Sequence, residues 1–165
     1  MRALVLLLVC ACSTTIRVSR DELQANVAEH FPKDIDKHVV AIRLSDPEVT
    51  LPGSLFVLRV RVEATTFTGR STITGIARVE GELEYRDQAF YLREPRVTQL
   101  DLDPATGPGQ AARLVNRVDI TSATRAVIVD VLLRHPIYRV KDPKAIRHLR
   151  SARIEDGSLL LKVGW

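Results

Sequence analysis

Residues 56–85, FVLRVRVEATTFTGRSTITGIARVEGELEY, carry the strongest structural signal in this chain. From Phe56 to Ala64 apolar side chains alternate with charged ones, and from Thr72 to Tyr85 the alternation returns. A period of two places one face of a strand in a core and the other in water. Gly69 lies between the two runs and marks a turn. The stretch therefore predicts two long antiparallel strands, each with one dry and one wet face.

The same period extends to both sides of this pair. Before it, residues 40–44 alternate, Asp46-Pro47 predicts a turn, and residues 49–51 resume the pattern. After it, Asp87-Gln88 predicts a turn into a further strand through residues 90–92. We therefore expect a meandering antiparallel sheet.

Beyond residues 103–109, DPATGPG, the period changes to 3.6. This change predicts a long helix that continues to about His135, before Pro136. A short helix is expected over 143–149, and Asp156-Gly157 predicts the turn of a closing hairpin. The apolar stripe expected along the long helix consists of Leu114, Val118, Ala126, Val129 and Leu133.

The first eleven residues, MRALVLLLVCA, are typical of a leader peptide. Arg2 precedes a short apolar run that ends in small residues, which is the order of a secretory signal. The run is far shorter than the roughly 18 residues that a membrane-spanning helix needs. Residues 9–12, VCAC, look like a bacterial lipobox, in which Cys12 is the lipidated first residue of the mature chain. Cleavage before Cys10 would instead leave the branched Val9 at the cut.

These features predict three segments: a lipoprotein signal peptide at 1–11, a lipidated N-terminus with a lead-in strand at 12–18, and one domain at 19–165. The domain opens on a helix, because Ser19 and Glu22 have the spacing of a capping box. By analogy with bacterial lipoproteins, Ser13 after the lipidated cysteine favours delivery to the outer membrane. The expected location is therefore the periplasmic side of the bacterial cell envelope.

Composition excludes several classes of protein. The chain has 165 residues, 45% of them hydrophobic, and a formal charge of +4 from 24 basic and 20 acidic residues. This balance is not that of a disordered tail or of a polytopic membrane protein. Aromatic residues make up only 5%, which argues against a surface on which nucleic-acid bases stack. Cleavage at Cys12 would leave one cysteine, so no internal disulfide is expected.

Seven short segments of the chain form a pattern that is found elsewhere: 18–24, 31–32, 44–49, 51–52, 94–97, 134–139 and 154–159. Together they resemble the YceB-like family of small bacterial lipoproteins, whose domain has no known function. The resemblance implies one half of a tubular lipid-binding (BPI-like) fold. That is an α+β fold, in which a curved antiparallel meander sheet wraps around a long C-terminal helix, with a short N-terminal helix and a C-terminal β-hairpin.

The sequence contains no recognisable catalytic or metal-binding motif. Its four histidines lack metal-ligand spacing, and its glycines form no phosphate-binding loop. Glu80, Glu82 and Glu84 share one strand face at the separation of two catalytic carboxylates. The simpler interpretation is a solvated face paired with Arg59, Arg61 and Arg78, since a carboxylate opposite an arginine stays ionised. We expect no catalytic residue, no metal and no cofactor.

Two sets of residues are candidates for binding. The first is a dry groove between sheet and helix that could hold acyl chains, although a domain of this size has one core to build and a filled core is the simpler interpretation. The second is a basic stretch, 134–153, with seven basic residues against one acid, suited to anionic headgroups unless it is only a solvated face. The groove candidates are Phe56, Leu58, Val60, Val62, Ile73, Gly75, Ala77, Val79, Gly81, Leu83, Leu114, Val118, Val129 and Leu133. The headgroup candidates are Arg139, Lys141, Lys144, Arg147, Arg150 and Arg153.

These expectations combine into a lipid-anchored periplasmic binding module for a lipid or other apolar ligand, without catalysis. The alternative is an envelope scaffold that docks another protein and carries no ligand. Either way the partners include the membrane, through acylated Cys12, and exclude nucleic acid. The sequence leaves open the ligand, the protein partner and the oligomeric state.

Overall fold

The computed structural model describes residues 13–37, 40–66, 72–103, 112–142, 144 and 146–164. Side chains are described throughout these ranges except at 37, 40, 66 and 112–120. The predicted signal peptide, Cys12, and the turn expected at Gly69 lie outside the described residues. Within them the chain forms these elements in order: β1 (Ser13–Ser19), α1 (Arg20–Ala28), β2 (Lys33–Lys37), β3 (Val40–Thr50), β4 (Phe56–Thr66), β5 (Thr72–Arg86), β6 (Ala89–Leu102), α2 (Ala112–Arg134), β7 (Tyr138–Arg139), β8 (Leu149–Glu155) and β9 (Ser158–Gly164).

The strands form two antiparallel sheets. The large sheet has six strands in the order β2-β3-β4-β5-β6-β7, and the small sheet has three in the order β1-β9-β8. Strands β4 and β5 pair from Phe56 opposite Gly81 to Thr65 opposite Thr72, which confirms the pairing predicted from residues 56–85. From β2 to β6, chain neighbours are also sheet neighbours, as expected of a meander.

The predicted fold class, an α+β fold with a curved sheet around a long C-terminal helix, is wrong. The structure is mostly antiparallel sheet, with nine strands and two helices among the described residues. Helix α2 lies chiefly against β6, and its far side, which includes Ala126 and Leu133, faces solvent. The reason is the lead-in strand β1, which pairs along its whole length with β9 and completes a second sheet. One core cluster therefore joins the large sheet, both helices and the small sheet.

One irregularity in the strands departs from a predicted turn. Asp46-Pro47 is no turn, because β3 continues through it with a bulge between Ser45 and Glu48. Asp46 takes a left-handed φ of 49°, which Asp tolerates better than most residues. The bulge absorbs the extra residues, so that Leu44 and Val49 both remain buried on the dry face.

The hairpin turns agree with the sequence. Asp87-Gln88 joins β5 to β6, and Asp156-Gly157 joins β8 to β9. In each pair both residues have positive φ, between 49° and 66°, as a type I′ turn requires. By contrast, no helix forms at 144 or 146–148, the described part of the helix predicted there, and β8 begins at Leu149.

The buried stripe of α2 differs from the predicted one. Thr124, Val127, Ile128 and Leu132 are buried, whereas Leu133, which we expected in the stripe, is 41% exposed. The predicted phase is wrong because residues 126–133 are nearly all apolar, so that several stripes fit the sequence equally well.

Candidate functional site

The strand residues predicted to line a groove are packed into the core. They share the dry face of the large sheet, and among the described residues all that carry side chains, except Ile73 and Leu83, belong to one buried cluster. Phe56, the largest of them, is fully buried. Leu83 is only partly buried and packs against the edge of the same cluster. The buried members are Phe56, Leu58, Val60, Val62, Ile73, Gly75, Ala77, Val79 and Gly81.

The helix residues whose side chains are described do not complete such a groove. Val129 is half-buried and packs against the core, while Leu133 lies on the solvent side of α2. The side chains of Leu114 and Val118 lie outside the described residues. The part of the interior that the structure describes is therefore a filled core at the place where the groove was expected.

The glycines of β5 allow the neighbouring strand β6 to approach closely. A Cβ at Gly75 would collide with the carbonyl oxygen of Asp101 and come within 2.9 Å of the Leu102 Cα, both in β6. At Gly81 the nearest atoms would be the Arg93 carbonyl oxygen and the Leu92 Cδ2, each at 3.1 Å. Close approach of β6, and not a slot for a helix or ligand, accounts for these small residues.

A small cleft that the sequence does not predict lies between the C-terminal ends of α1 and α2. We call it the α1–α2 cleft. Its volume is about 20 Å³, which is room for about one water molecule. Its walls are mostly apolar, and its polar groups are basic. The lining residues are Val27, His30, Phe31, Lys33, Val131, Leu132, His135, Pro136 and Ile137.

Lys33 and His135 meet at the rim of the α1–α2 cleft. The Lys33 Nζ lies 2.7 Å from the His135 Nε2. An ammonium group only donates, so the His135 Nε2 accepts and the ring is neutral. Burial lowers the pKa of His135, and the nearby charges of Lys33, His30 and Arg134 lower it further. These residues are about 100 positions apart in the chain, so no motif could have shown that they meet.

Two of the three carboxylates on the β5 face, Glu80 and Glu82, are held by arginines. The Arg78 Nε donates to the Glu80 Oε1 at 2.9 Å, and Arg93 pairs with Glu82. Arg59 and Arg61, expected as their partners, pair with Glu48 and Asp46 of β3. Arginine contacts therefore occupy two members of the candidate acid cluster.

The basic stretch 134–153 divides into neutralised and unpaired members. Arg134 and Arg153 pair with Asp130 and Glu155, at 2.7 and 2.9 Å. Lys144 and Arg147 are exposed in the segment before β8, and neither pairs with a carboxylate among the described residues. The basic stretch is therefore not one continuous patch.

Two further headgroup candidates lie beside β7. Arg139 is exposed on β7, at the edge of the large sheet. The Lys141 Nζ lies 3.2 Å from the Glu22 Oε1, and Tyr138 Oη donates to the same oxygen at 3.1 Å. Burial and the Glu22 carboxylate raise the pKa of Tyr138 to about 12. Glu22 thus ties α1 to β7 instead of completing the predicted capping box, of which only the hydrogen bond from the Glu22 backbone N–H to the Ser19 Oγ forms.

The searches for membrane helices, metal clusters and relatives add no further site. In the described ranges, no helix has the length and hydropathy to cross a membrane, and no three His, Cys, Asp or Glu side chains cluster as metal ligands. A comparison with models of known protein families finds no match, and a comparison with curated proteins finds none either. The resemblance to the YceB-like family therefore stays a prediction from the sequence.

Proposed function

We propose that this chain is a lipid-anchored, non-catalytic protein of the bacterial cell envelope that acts through its surface as an interaction module. Acylated Cys12 would hold it on the periplasmic side of the outer membrane, as the lipobox and Ser13 suggest. This is the scaffold alternative, now preferred to a carrier that encloses a lipid.

The filled core carries this preference. Phe56, Val62, Ala77 and Val79, all expected to line a groove, are no more than 2% exposed. A single acyl chain needs space for many methylene groups, and the α1–α2 cleft has a volume of only about 20 Å³. A larger surface cavity of about 250 Å³ lies over β2, β3 and β4, but charged side chains such as Asp34, Arg43 and Glu63 line it. A carrier would require the core to open at the cost of its packed contacts.

The anchor is tested by a matched pair of cysteine variants. Cys12→Ser should abolish acylation and release the protein from the membrane fraction, whereas Cys10→Ser should leave both unchanged, because Cys10 would be removed with the signal peptide. Mass spectrometry of the purified chains reads the acyl groups directly. An unmodified Cys12 in the wild-type chain would refute the anchor.

The absence of a ligand is tested on the Cys12→Ser form, purified from a host that contains membranes. Native mass spectrometry should give the mass of the chain alone. A stoichiometric bound lipid would overturn the surface-acting function and restore the carrier. If the chain carries no ligand and acts through its surface, cross-linking of the wild-type chain in intact cells should give the same neighbouring envelope protein in independent preparations.

One observation favours a second candidate, a site for a small anion such as acetate at the rim of the α1–α2 cleft. The cleft combines apolar walls with Lys33, His30 and His135. Asp34 pairs with Arg43 and Asp130 with Arg134, and the three basic groups have no carboxylate partner among the described residues. Titration with acetate would detect binding as a shift of the His135 ring signals by NMR. Lys33→Gln should abolish that shift if the site is real.

A further inference from the structure

The small sheet brings an unexpected set of residues to the point where the chain would leave the membrane. Ser13, the residue after Cys12, opens β1 and pairs with Gly164 at the end of β9. The Gly164 backbone N–H donates to the His148 carbonyl oxygen at 3.2 Å, and the Arg150 Nε donates to the Gly164 carbonyl oxygen at the same distance. The basic segment before β8 therefore lies within two strand spacings, about 10 Å, of Ser13.

Basic side chains surround this end of the small sheet. Lys144 and Arg147 are exposed in the segment that leads into β8, and Arg150 follows at its start. Lys162 of β9 is exposed opposite Thr15, only two residues along β1 from Ser13. We call Lys144, Arg147, Arg150 and Lys162 the anchor-side basic surface.

Acidic residues are scarce in the segments that carry the anchor-side basic surface. Strands β1 and β9 contain no Asp or Glu, and Asp142 is the one acid in residues 140–150. The Asp142 Oδ1 accepts a hydrogen bond from the Lys144 backbone N–H, so it caps the turn locally. In these segments Lys144, Arg147 and Lys162 alone outnumber the acid.

Several basic side chains at other places in the fold are balanced by acids. On the outer face of the large sheet Arg43, Arg59, Arg61 and Arg93 each pair with a carboxylate. Arg153, at the far end of β8 from Ser13, pairs with Glu155. By comparison, the anchor-side basic surface carries a local excess of positive charge.

We propose that the anchor-side basic surface lies on the anionic headgroups of the membrane that holds Cys12. This inference rests on the proposed lipid anchor and adds a fixed orientation to it. No residue separates Cys12 from β1, so the small sheet begins at the bilayer surface. Lysine and arginine side chains within that distance are attracted to phosphate-bearing headgroups. The membrane would then orient the protein with the small sheet inward and the large sheet outward.

Flotation of the Cys12→Ser form with lipid vesicles tests the surface without the anchor. This form is produced with residue 12 at its N-terminus, so no part of the apolar leader remains. It should float with vesicles that contain phosphatidylglycerol and not with vesicles of phosphatidylcholine alone. Each basic residue near the surface contributes a factor of about 5 to partitioning. The triple variant Lys144→Gln, Arg147→Gln, Lys162→Gln should therefore bind about 100-fold more weakly.

A matched triple variant, Arg59→Gln, Arg61→Gln, Arg93→Gln, removes the same charge from the large sheet and should bind like the parent. Equal loss in both variants would show attraction by net charge alone and overturn the oriented surface. Failure of the Cys12→Ser form to float with anionic vesicles would also overturn it, and would leave the anchor intact if the wild-type chain carries acyl groups. Circular dichroism of both triple variants checks that they are folded.

The single tryptophan provides a second readout. Trp165 is the next residue in the sequence after Gly164, which pairs with Ser13, so we expect its fluorescence to respond when this end of the small sheet meets a membrane. In the acylated wild-type chain, brominated phosphatidylglycerol should quench its fluorescence, and high salt should relieve part of the quenching because it screens the headgroup attraction. Quenching that is insensitive to salt and to the Lys144, Arg147 and Lys162 substitutions would refute the proposal.

Discussion

Replacing Gly75 with alanine distinguishes a strand contact from a ligand slot. If Gly75 lined a slot for an acyl chain, one added methyl group would leave the free energy of unfolding nearly unchanged. In the structure that methyl group collides with the Asp101 carbonyl oxygen and lies 2.9 Å from the Leu102 Cα. Both are backbone atoms in a paired strand, and Gly75 itself lies opposite Leu102. Neither can move aside without displacing the end of β6.

The expected cost follows from these contacts. Overpacking in a well-packed interior typically costs about 1–3 kcal/mol, and a backbone collision belongs at the upper end of this range. For a domain of this size each kcal/mol lowers the melting temperature by about 2–4 °C. Gly75→Ala should therefore lower the melting temperature by about 6–12 °C, measured by circular dichroism or calorimetry.

Gly81→Ala is the matched control in the same strand. Its Cβ would meet the Arg93 carbonyl oxygen and the Leu92 Cδ2 at 3.1 Å, so the neighbours need to yield by only a few tenths of an ångström. Alanine also loses less backbone entropy on folding than glycine, by roughly 0.5–1 kcal/mol, which offsets much of that strain. We expect a change within about 1 kcal/mol. A Gly75→Ala protein as stable as the wild type, or less affected than Gly81→Ala, would refute the reasoning.

Three further predictions concern α2 and the residue that follows it. In urea unfolding, Leu132→Ala should cost about 2–5 kcal/mol and Leu133→Ala less than about 0.5 kcal/mol, because only Leu132 is buried. Equal costs would contradict the observed orientation of α2 on the sheet. Thr124→Val should stabilise the protein by about 1 kcal/mol in the same assay, because the Thr124 Oγ1 is buried with no hydrogen-bond partner. A loss of stability would show that the hydroxyl group is hydrogen-bonded. The pKa of His135 in the folded protein lies below its ordinary value of 6.5. The unfolded chain therefore binds a proton at this site more readily than the folded chain. The free energy of unfolding should fall as the pH is lowered from about 6.5 towards the pKa of the folded protein. His135→Gln should flatten this dependence, and an unchanged pH profile would exclude His135 as its source.

Much of the large sheet follows from local pattern. Alternation over 56–85 fixes which side chains are buried, and the turn residues Asp87-Gln88 and Asp156-Gly157 adopt the left-handed conformations that they favour. These features depend on neighbours in sequence, so the sequence reports them well. The Asp46-Pro47 bulge is harder to predict, because a turn and a bulge use the same residues and only the partner strand distinguishes them.

The arrangement of layers depends on contacts between distant residues, which periodicity cannot report. Nothing in residues 13–19 indicates pairing with residues 158–164, yet this pairing creates the second sheet and overturns the expected fold class. The buried side of α2 is similarly decided by β6, because residues 126–133 are apolar on nearly every side.

For the candidate sites, the sequence shows which residues are apolar or basic, but not which other residues they contact in the fold. The dry-face residues are apolar in the way that both a core and a groove require, and only packing shows that the described ones fill the interior. The stretch 134–153 is basic in sequence, but Glu22 and Glu155 neutralise Lys141 and Arg153, and Lys162 joins the exposed members from another strand. The α1–α2 cleft requires residues from both ends of the chain.

The pairing of β1 with β9 has a consequence for the order of folding. Among the described strands, the first finds its sheet partner in the last, about 140 to 150 residues later. Closing a loop of that length carries an entropic cost before any contact is gained, so the small sheet assembles late. If the proposed lipid anchor is present, Cys12 would therefore be processed while residues 13–19 still lack their partner strand. A chain interrupted before Ser158 would lack the partner of both β1 and β8, which would leave two strand edges open to other molecules.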